Sequence, residues 1–132
     1  MQAVRGGRAV WRSGLALAVI LAGAPVLAAD PPPIAVTGGV LVNATTGMTL
    51  YTYDLDVAGS GKSNCYGDCQ IAWPPMLAGD AQPGGAYTII QREGGFRQWA
   101  YKGKPLYLFS GDVDPGDDNG NGVNGRWKVA TP

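Results

Sequence analysis

The chain contains no histidine, and that absence excludes more chemistry than any other feature of it. Without an imidazole there is no Ser–His or Cys–His nucleophile pair, no histidine general base, and no His-ligated zinc, copper or haem. Charge is sparse and balanced, with 10 Lys and Arg against 10 Asp and Glu in 132 residues. Nothing here resembles the clustered cations that a nucleic-acid backbone demands, so no nucleic-acid partner is expected. Cysteine is limited to Cys65 and Cys69. The apolar stretch that begins at Leu15 is interrupted by Gly23 and Pro25, short of the roughly 20 residues that a membrane-spanning helix needs.

What is present begins with an address. Arg5, Arg8 and Arg12 precede the apolar run Leu15–Ala24, and Val26-Leu27-Ala28 fits the small-residue cleavage rule, so residues 1–28 read as a Sec-type secretory signal peptide. The rival reading is an uncleaved anchor. The arginines are not adjacent, so a twin-arginine route is not indicated, and no Cys near the cleavage site offers a thiol for lipidation. The expected location is periplasmic or secreted, with no stable membrane span after cleavage. Removing residues 1–28 leaves a mildly acidic chain of net charge −3. Its many Gly and Pro residues border on a disordered composition, but its aromatics sit in alternating apolar runs that bury well. The expectation is a single domain of mostly antiparallel β structure over 34–132, behind an extended leader at 29–33.

An internal repeat organises that domain. Residues 47–56, Gly-Met-Thr-Leu-Tyr-Thr-Tyr-Asp-Leu-Asp, align with 103–112, Gly-Lys-Pro-Leu-Tyr-Leu-Phe-Ser-Gly-Asp, sharing Gly, Leu, Tyr, an aromatic and Asp. Each copy runs on through a polar, Gly-bearing loop to a tryptophan, Trp73 or Trp127. Two copies predict one pseudo-symmetric domain, since a solenoid needs three or more units. Strands are predicted at Val40–Val42, Thr49–Tyr53, Tyr87–Arg92, Phe96–Tyr101, Pro105–Phe109 and Trp127–Ala130, with hairpins at Glu93-Gly94-Gly95 and Lys102-Gly103. Period-2 geometry puts Tyr51 with Tyr53, and Tyr107 with Phe109, on one face. A short helical turn is predicted around the Cys pair, stopped by Pro74-Pro75.

Tyr51-x-Tyr53-x-x-Asp56 and Tyr107-x-Phe109-x-x-Asp112 resemble the Y-x-[FWY]-x-x-D motif of a bacterial family of secreted repeat proteins, often labelled predicted lipoproteins with a conserved Yx(FWY)xxD motif. Cys65-Tyr66-Gly67-Asp68-Cys69 leading to Trp73-Pro74-Pro75, Arg97-Gln98-Trp99 before Lys104-Pro105-Leu106-Tyr107, and Asp114-Pro115-Gly116-Asp117 leading to Trp127 are similar to it as well. The resemblance covers nearly all of 36–132. It departs from the family in lacking a lipobox Cys. It implies no settled activity, and offers only a loose association of some members with alkane utilisation.

Four groups are candidate sites. One helical turn would bring Cys65 and Cys69 within bridging range, so an oxidising compartment predicts a disulfide; a redox-active or metal-binding pair is the alternative. Asp117-x-Asn119-x-Asn121-Gly122 matches the first half of a calcium loop, with Asp112 and Asp114 able to fold back, although Lys128 stands where a bidentate Glu belongs. The plain alternative is an Asx-turn loop. Asp56 and Asp112, equivalent in the repeat, are either a carboxylate pair for acid–base work or structural caps. The aromatics are mainly core, with Trp73 and Trp99 as candidates for an exposed ligand face. The leading functional expectation is a non-enzymatic, monomeric binding or accessory domain that needs no cofactor and takes an envelope protein or a small apolar ligand. A small carboxylate-dependent hydrolase is one alternative. Another is a calcium-dependent or redox accessory protein of an envelope oxidation system.

Overall fold

The computed structural model describes residues 30–132 continuously, together with 6–7, 14–20 and 23. The expected signal peptide therefore lies largely outside the described residues. Among the described residues no helix is long and apolar enough to cross a membrane.

The chain forms seven short strands: β1 Ile34–Thr37, β2 Val40–Asn43, β3 Tyr51–Tyr53, β4 Tyr87–Gln91, β5 Arg97–Tyr101, β6 Lys104–Pro105 and β7 Trp127–Val129. Helix α1, Asp68–Ala72, carries Cys69 and ends before Pro74-Pro75, as expected of residues that cannot continue a helix. Every ladder is antiparallel: β1 with β2, β3 with β7, and β4 with β5 with β6. The fold is mostly β, built on the two motif copies.

Two strand expectations need correction. Ile34–Thr37 pairs with Val40–Asn43 as a hairpin that was not expected, and its turn is Gly38-Gly39, with φ of 58° and 76°. Two residues at positive φ make the mirror-image turn whose twist suits a hairpin, and glycine reaches that conformation without strain. The strand expected over Pro105–Phe109 is a ladder only at Lys104–Pro105; Tyr107 pairs through single bridges to Tyr51 and Pro75. Pro74 and Pro75 face this stretch, and neither has an N–H to donate, so a continuous ladder cannot form. The segment is pinned instead by Leu108 donating to Pro74 O (2.7 Å) and Met76 donating to Leu106 O (2.9 Å).

The two copies are interlaced. Tyr51 and Tyr107 exchange both backbone hydrogen bonds, at 2.8 and 2.9 Å, so the pseudo-twofold axis passes between the motif tyrosines. The first motif strand, β3, pairs with β7, which follows the second copy. The second motif strand is bridged at Tyr107 to Pro75, which follows the first. Each repeat thus lends its tryptophan-bearing end to the other. In one half Leu50 donates to Leu41, Leu41 to Ala130 and Ala130 to Leu50, a closed ring of three backbone hydrogen bonds. In the other, Leu106 donates to Trp99, Trp99 to Met76 and Met76 to Leu106. That ring makes Leu41 the counterpart of Trp99, and hence Val40 that of Gln98.

Burial joins the two halves, because each core cluster draws residues from both. One cluster packs Leu41, Leu50, Met76, Trp99, Leu106 and Ala130. The other packs Tyr51, Cys65, Trp73, Tyr107 and Trp127, with Tyr53 and Phe109 against it. Tyr53 and Phe109 therefore do share a side with their motif partners.

Candidate functional site

The strongest concentration of polar chemistry lies at the ends of the motif tyrosines. Tyr51 donates its hydroxyl to Asp112 Oδ2 at 2.6 Å, and Tyr107 donates to Asp56 Oδ2 at 2.5 Å. The pairs cross: the tyrosine of each copy holds the aspartate of the other. Each aspartate uses its second oxygen to cap the loop that follows it. Asp56 Oδ1 accepts from Asn64 N (2.7 Å), and Asp112 Oδ1 accepts from Asn119 N (3.0 Å) and Asn119 Nδ2 (3.2 Å). A hydrogen bond to a charged acceptor contributes about 1.5–3 kcal/mol, more than a neutral one.

Burial makes both motif tyrosines, and Asp56 with them, weaker acids. Tyr51 and Tyr107 ionise well above the ordinary tyrosine range, first because burial disfavours the phenolate and then because each hydroxyl is held by a carboxylate. Asp56 is also raised, by burial, against the opposing pull of the Tyr107 hydroxyl, the Asn64 N–H and the positive charge of Arg92.

Between the tyrosines the motif aromatics form a column. Trp73 and Trp127, one from each repeat, stack at 3.8 Å between centroids and 2° between planes. Phe109 stacks on the outer face of Trp73 at 4.3 Å, and Tyr53 on that of Trp127 at 4.2 Å. Tyr51 meets Trp73 edge-on at 5.3 Å, and Tyr107 meets Trp127 edge-on at 5.1 Å. Gly120 allows this: a Cβ there would lie 2.7 Å from Trp73 and 2.8 Å from Tyr51.

A family model described as "secreted repeat of unknown function" matches this chain twice, over residues 34–76 and 88–131. The chain belongs to that secreted-repeat family. No curated protein and no solved structure matches it. Each matched stretch of the secreted repeat contains one motif copy and ends beyond its tryptophan, Trp73 or Trp127.

Cys65 and Cys69 form a disulfide, with 5.2 Å between Cα atoms. Trp73 and Trp99 do not make a ligand face: they are only 4% and 0% exposed. Trp99 fills the centre of the first core cluster and Trp73 the middle of the column. Asp56 and Asp112 are each committed to the tyrosine of the other copy and to the loop that follows them.

The Asp–Asn loop turns most of its expected calcium ligands on its own chain. Asp112 is spent as above, Asp117 Oδ2 caps Val113 N and Asp114 N, and Asn121 Oδ1 accepts from Val129 N. Those two N–H bonds hold Asp117 below the usual carboxylate range. Asn119 turns its amide nitrogen back on Asp112, and of the five expected ligands only the Asp114 side chain makes no hydrogen bond. Among the described residues no three His, Cys, Asp or Glu side chains converge as a metal would need. The oxygens at alternating positions serve an Asx-type loop.

The sequence reading missed Arg92, Gln98 and Ser63. Arg92 is 4% exposed and donates to Gln98 Oε1 (2.7 Å), Gln70 Oε1 (3.1 Å) and Cys65 O, with its guanidinium over the rings of Tyr66 and Phe96. Gln98 in turn donates to Leu106 O at 2.7 Å. Ser63 bridges the Tyr107 hydroxyl (2.7 Å) and Cys65 N (3.1 Å). Asn64 and Asn119 carried a legible signal, because both follow a motif Asp at nearly the same distance. A lone arginine at the end of a predicted strand carried none.

Proposed function

We propose that this secreted repeat is a non-enzymatic accessory domain of the periplasm or extracellular space that works by binding an envelope protein. The observation that carries the reading is the crossed Tyr–Asp pairing. The carboxylates best placed by the repeat for acid–base chemistry are spent on tyrosine hydroxyls and backbone N–H groups, so the motif serves as a clamp on the fold. A clamped, Gly-rich frame with short strands leaves its loops and grooves as the variable part, which suits presentation to a partner. The buried Cys65 in its disulfide likewise favours a structural staple over a redox exchanger.

The test combines turnover with stability. The protein is assayed against chromogenic glycosides, carboxylic esters and phosphoesters, alongside Asp56→Asn and Asp112→Asn. The binding reading expects no turnover, and a loss of about 1–3 kcal/mol of stability in each variant as a buried acceptor is weakened. Turnover that disappears in variants of unchanged stability would establish the carboxylate-dependent hydrolase instead.

A further inference from the structure

The pseudo-twofold relation places two equivalent sheet faces on the molecule, and one is covered more completely than the other. In the half containing β4 and β5, Gln98 and Ala100 are wholly buried, and Gln98 is held by the Arg92 side chain, which in turn reaches Cys65 O and Gln70. Their counterparts in the other half are Val40 and Val42. Val42 is buried like its counterpart, but Val40 is part-exposed, and it floors a groove of about 460 Å³ bounded by Thr37, Val42, Thr49, Gly116 and Asp118.

The walls correspond as well as the floor. Gly47 accepts from Gly116 N on one side, as Gly103 accepts from Gly59 N on the other. Asn119 meets Asp112 as Asn64 meets Asp56, which sets Asp118 at the position of Ser63. The difference lies in the connections. The β4–β5 loop is long enough to carry Arg92 and Phe96, whereas the β1–β2 turn is only Gly38-Gly39 and has no side chain to lay over the face. The helix and disulfide are likewise confined to the first inter-motif loop.

Charge is incomplete in the same place. Of the aspartates in the loop beside the groove, Asp118 lines it, and the only ion pair among the described residues is Lys128 with Asp54, elsewhere. The covered face has its cation in Arg92, whereas the lining of the open groove includes Asp118 and no Lys or Arg. A guanidinium suits such a place, since its planar fork pairs with a carboxylate while its stem lies along apolar surface.

We propose that the groove between the β1–β2 hairpin and the 115–118 loop receives an arginine side chain presented by a protein partner, its stem against Val40 and Val42 and its guanidinium on Asp118. The assignment rests on the binding reading above and deepens it: the partner is one that presents a cationic side chain on an exposed segment. A second copy of this chain and a purely apolar partner are the competing occupants.

The test titrates the isotope-labelled full chain with the capped peptide Ac-Gly-Arg-Gly-amide, following backbone amide signals. The same is done with the neutral citrulline and leucine versions and with Asp118→Asn. Saturable shifts are expected at Thr37, Val40, Val42, Thr49 and Gly116, weakened about tenfold or more by citrulline or by Asp118→Asn. Equal response to the leucine peptide would make the occupant apolar. Shifts that depend on protein concentration without peptide would make it a second copy. No saturable response up to about 20 mM, well past millimolar affinity, would remove the assignment. Each of these three overturns the proposal, and each leaves the turnover test of the accessory-domain reading to be decided independently.

Discussion

In the half that carries β4 and β5, the outer sheet face is held by Arg92, which reaches the Cys65–Cys69 loop; in the half that carries β1 and β2, the same face is less covered and holds a groove lined by Asp118. Beneath these surfaces the two halves share a frame: a ring of three backbone hydrogen bonds, a tyrosine clamped on the other copy's aspartate, and an aromatic pair in a common column. Duplication preserved what the halves exchange and released what they do not. Residues at the pseudo-axis are constrained twice, once by each copy. The connections are constrained only by their own half.

The column is where breaking the symmetry should hurt most. Trp73→Ala and Trp127→Ala are each expected to lower stability by about 3–5 kcal/mol, because each removes a buried indole that its neighbours cannot close over. The two losses should be similar by chemical denaturation; a much smaller loss for one would mean that the column is not shared equally.

The disulfide sharpens the comparison, since only one half has it. A five-residue loop gives about 2 kcal/mol in the chain-entropy model. Cys65→Ala with Cys69→Ala should cost about that much, and hydrogen exchange should rise around Ser63, Cys65 and Arg92 while the Leu41–Leu50–Ala130 ring stays protected. Loss of protection throughout would show that the staple supports both halves.

Alkaline pH should give a smaller, graded effect. Above the ordinary tyrosine pKa of about 10, the unfolded chain releases protons that Tyr51 and Tyr107 still hold in the folded state, so stability is full below that point and falls as pH rises through it. Tyr51→Phe with Tyr107→Phe should flatten the fall, as read from denaturation midpoints between pH about 8 and 11. An undiminished slope would place its cause elsewhere.

Much of this was legible in the chain. The repeat, the β class, the disulfide and the aromatic faces follow from spacing and residue type, because each rests on local period or short contact distance. What was not legible is non-local. Alignment of 47–56 with 103–112 marks Tyr51 and Asp56 as one motif, but nothing in the spacing says that the tyrosine binds the aspartate of the other copy. Trp99 reads like a surface aromatic until the Trp99–Met76–Leu106 ring places it at the centre of a core. The Asp–Asn loop looks like metal ligands because Asx caps and calcium loops use the same oxygens; only the partners, Val113, Asp114, Asn119 and Val129, separate them. Gly38-Gly39 between two apolar runs is a local hairpin signal of the same kind as the other turns.

The interlaced motif is tested most directly by double-mutant cycles on four pairs, using Tyr→Phe and Asp→Asn. The crossed pairs Tyr51–Asp112 and Tyr107–Asp56 should show coupling of about 1–2 kcal/mol, and the within-copy pairs Tyr51–Asp56 and Tyr107–Asp112 coupling near zero. Coupling within each copy and none across would contradict the exchange on which the account rests.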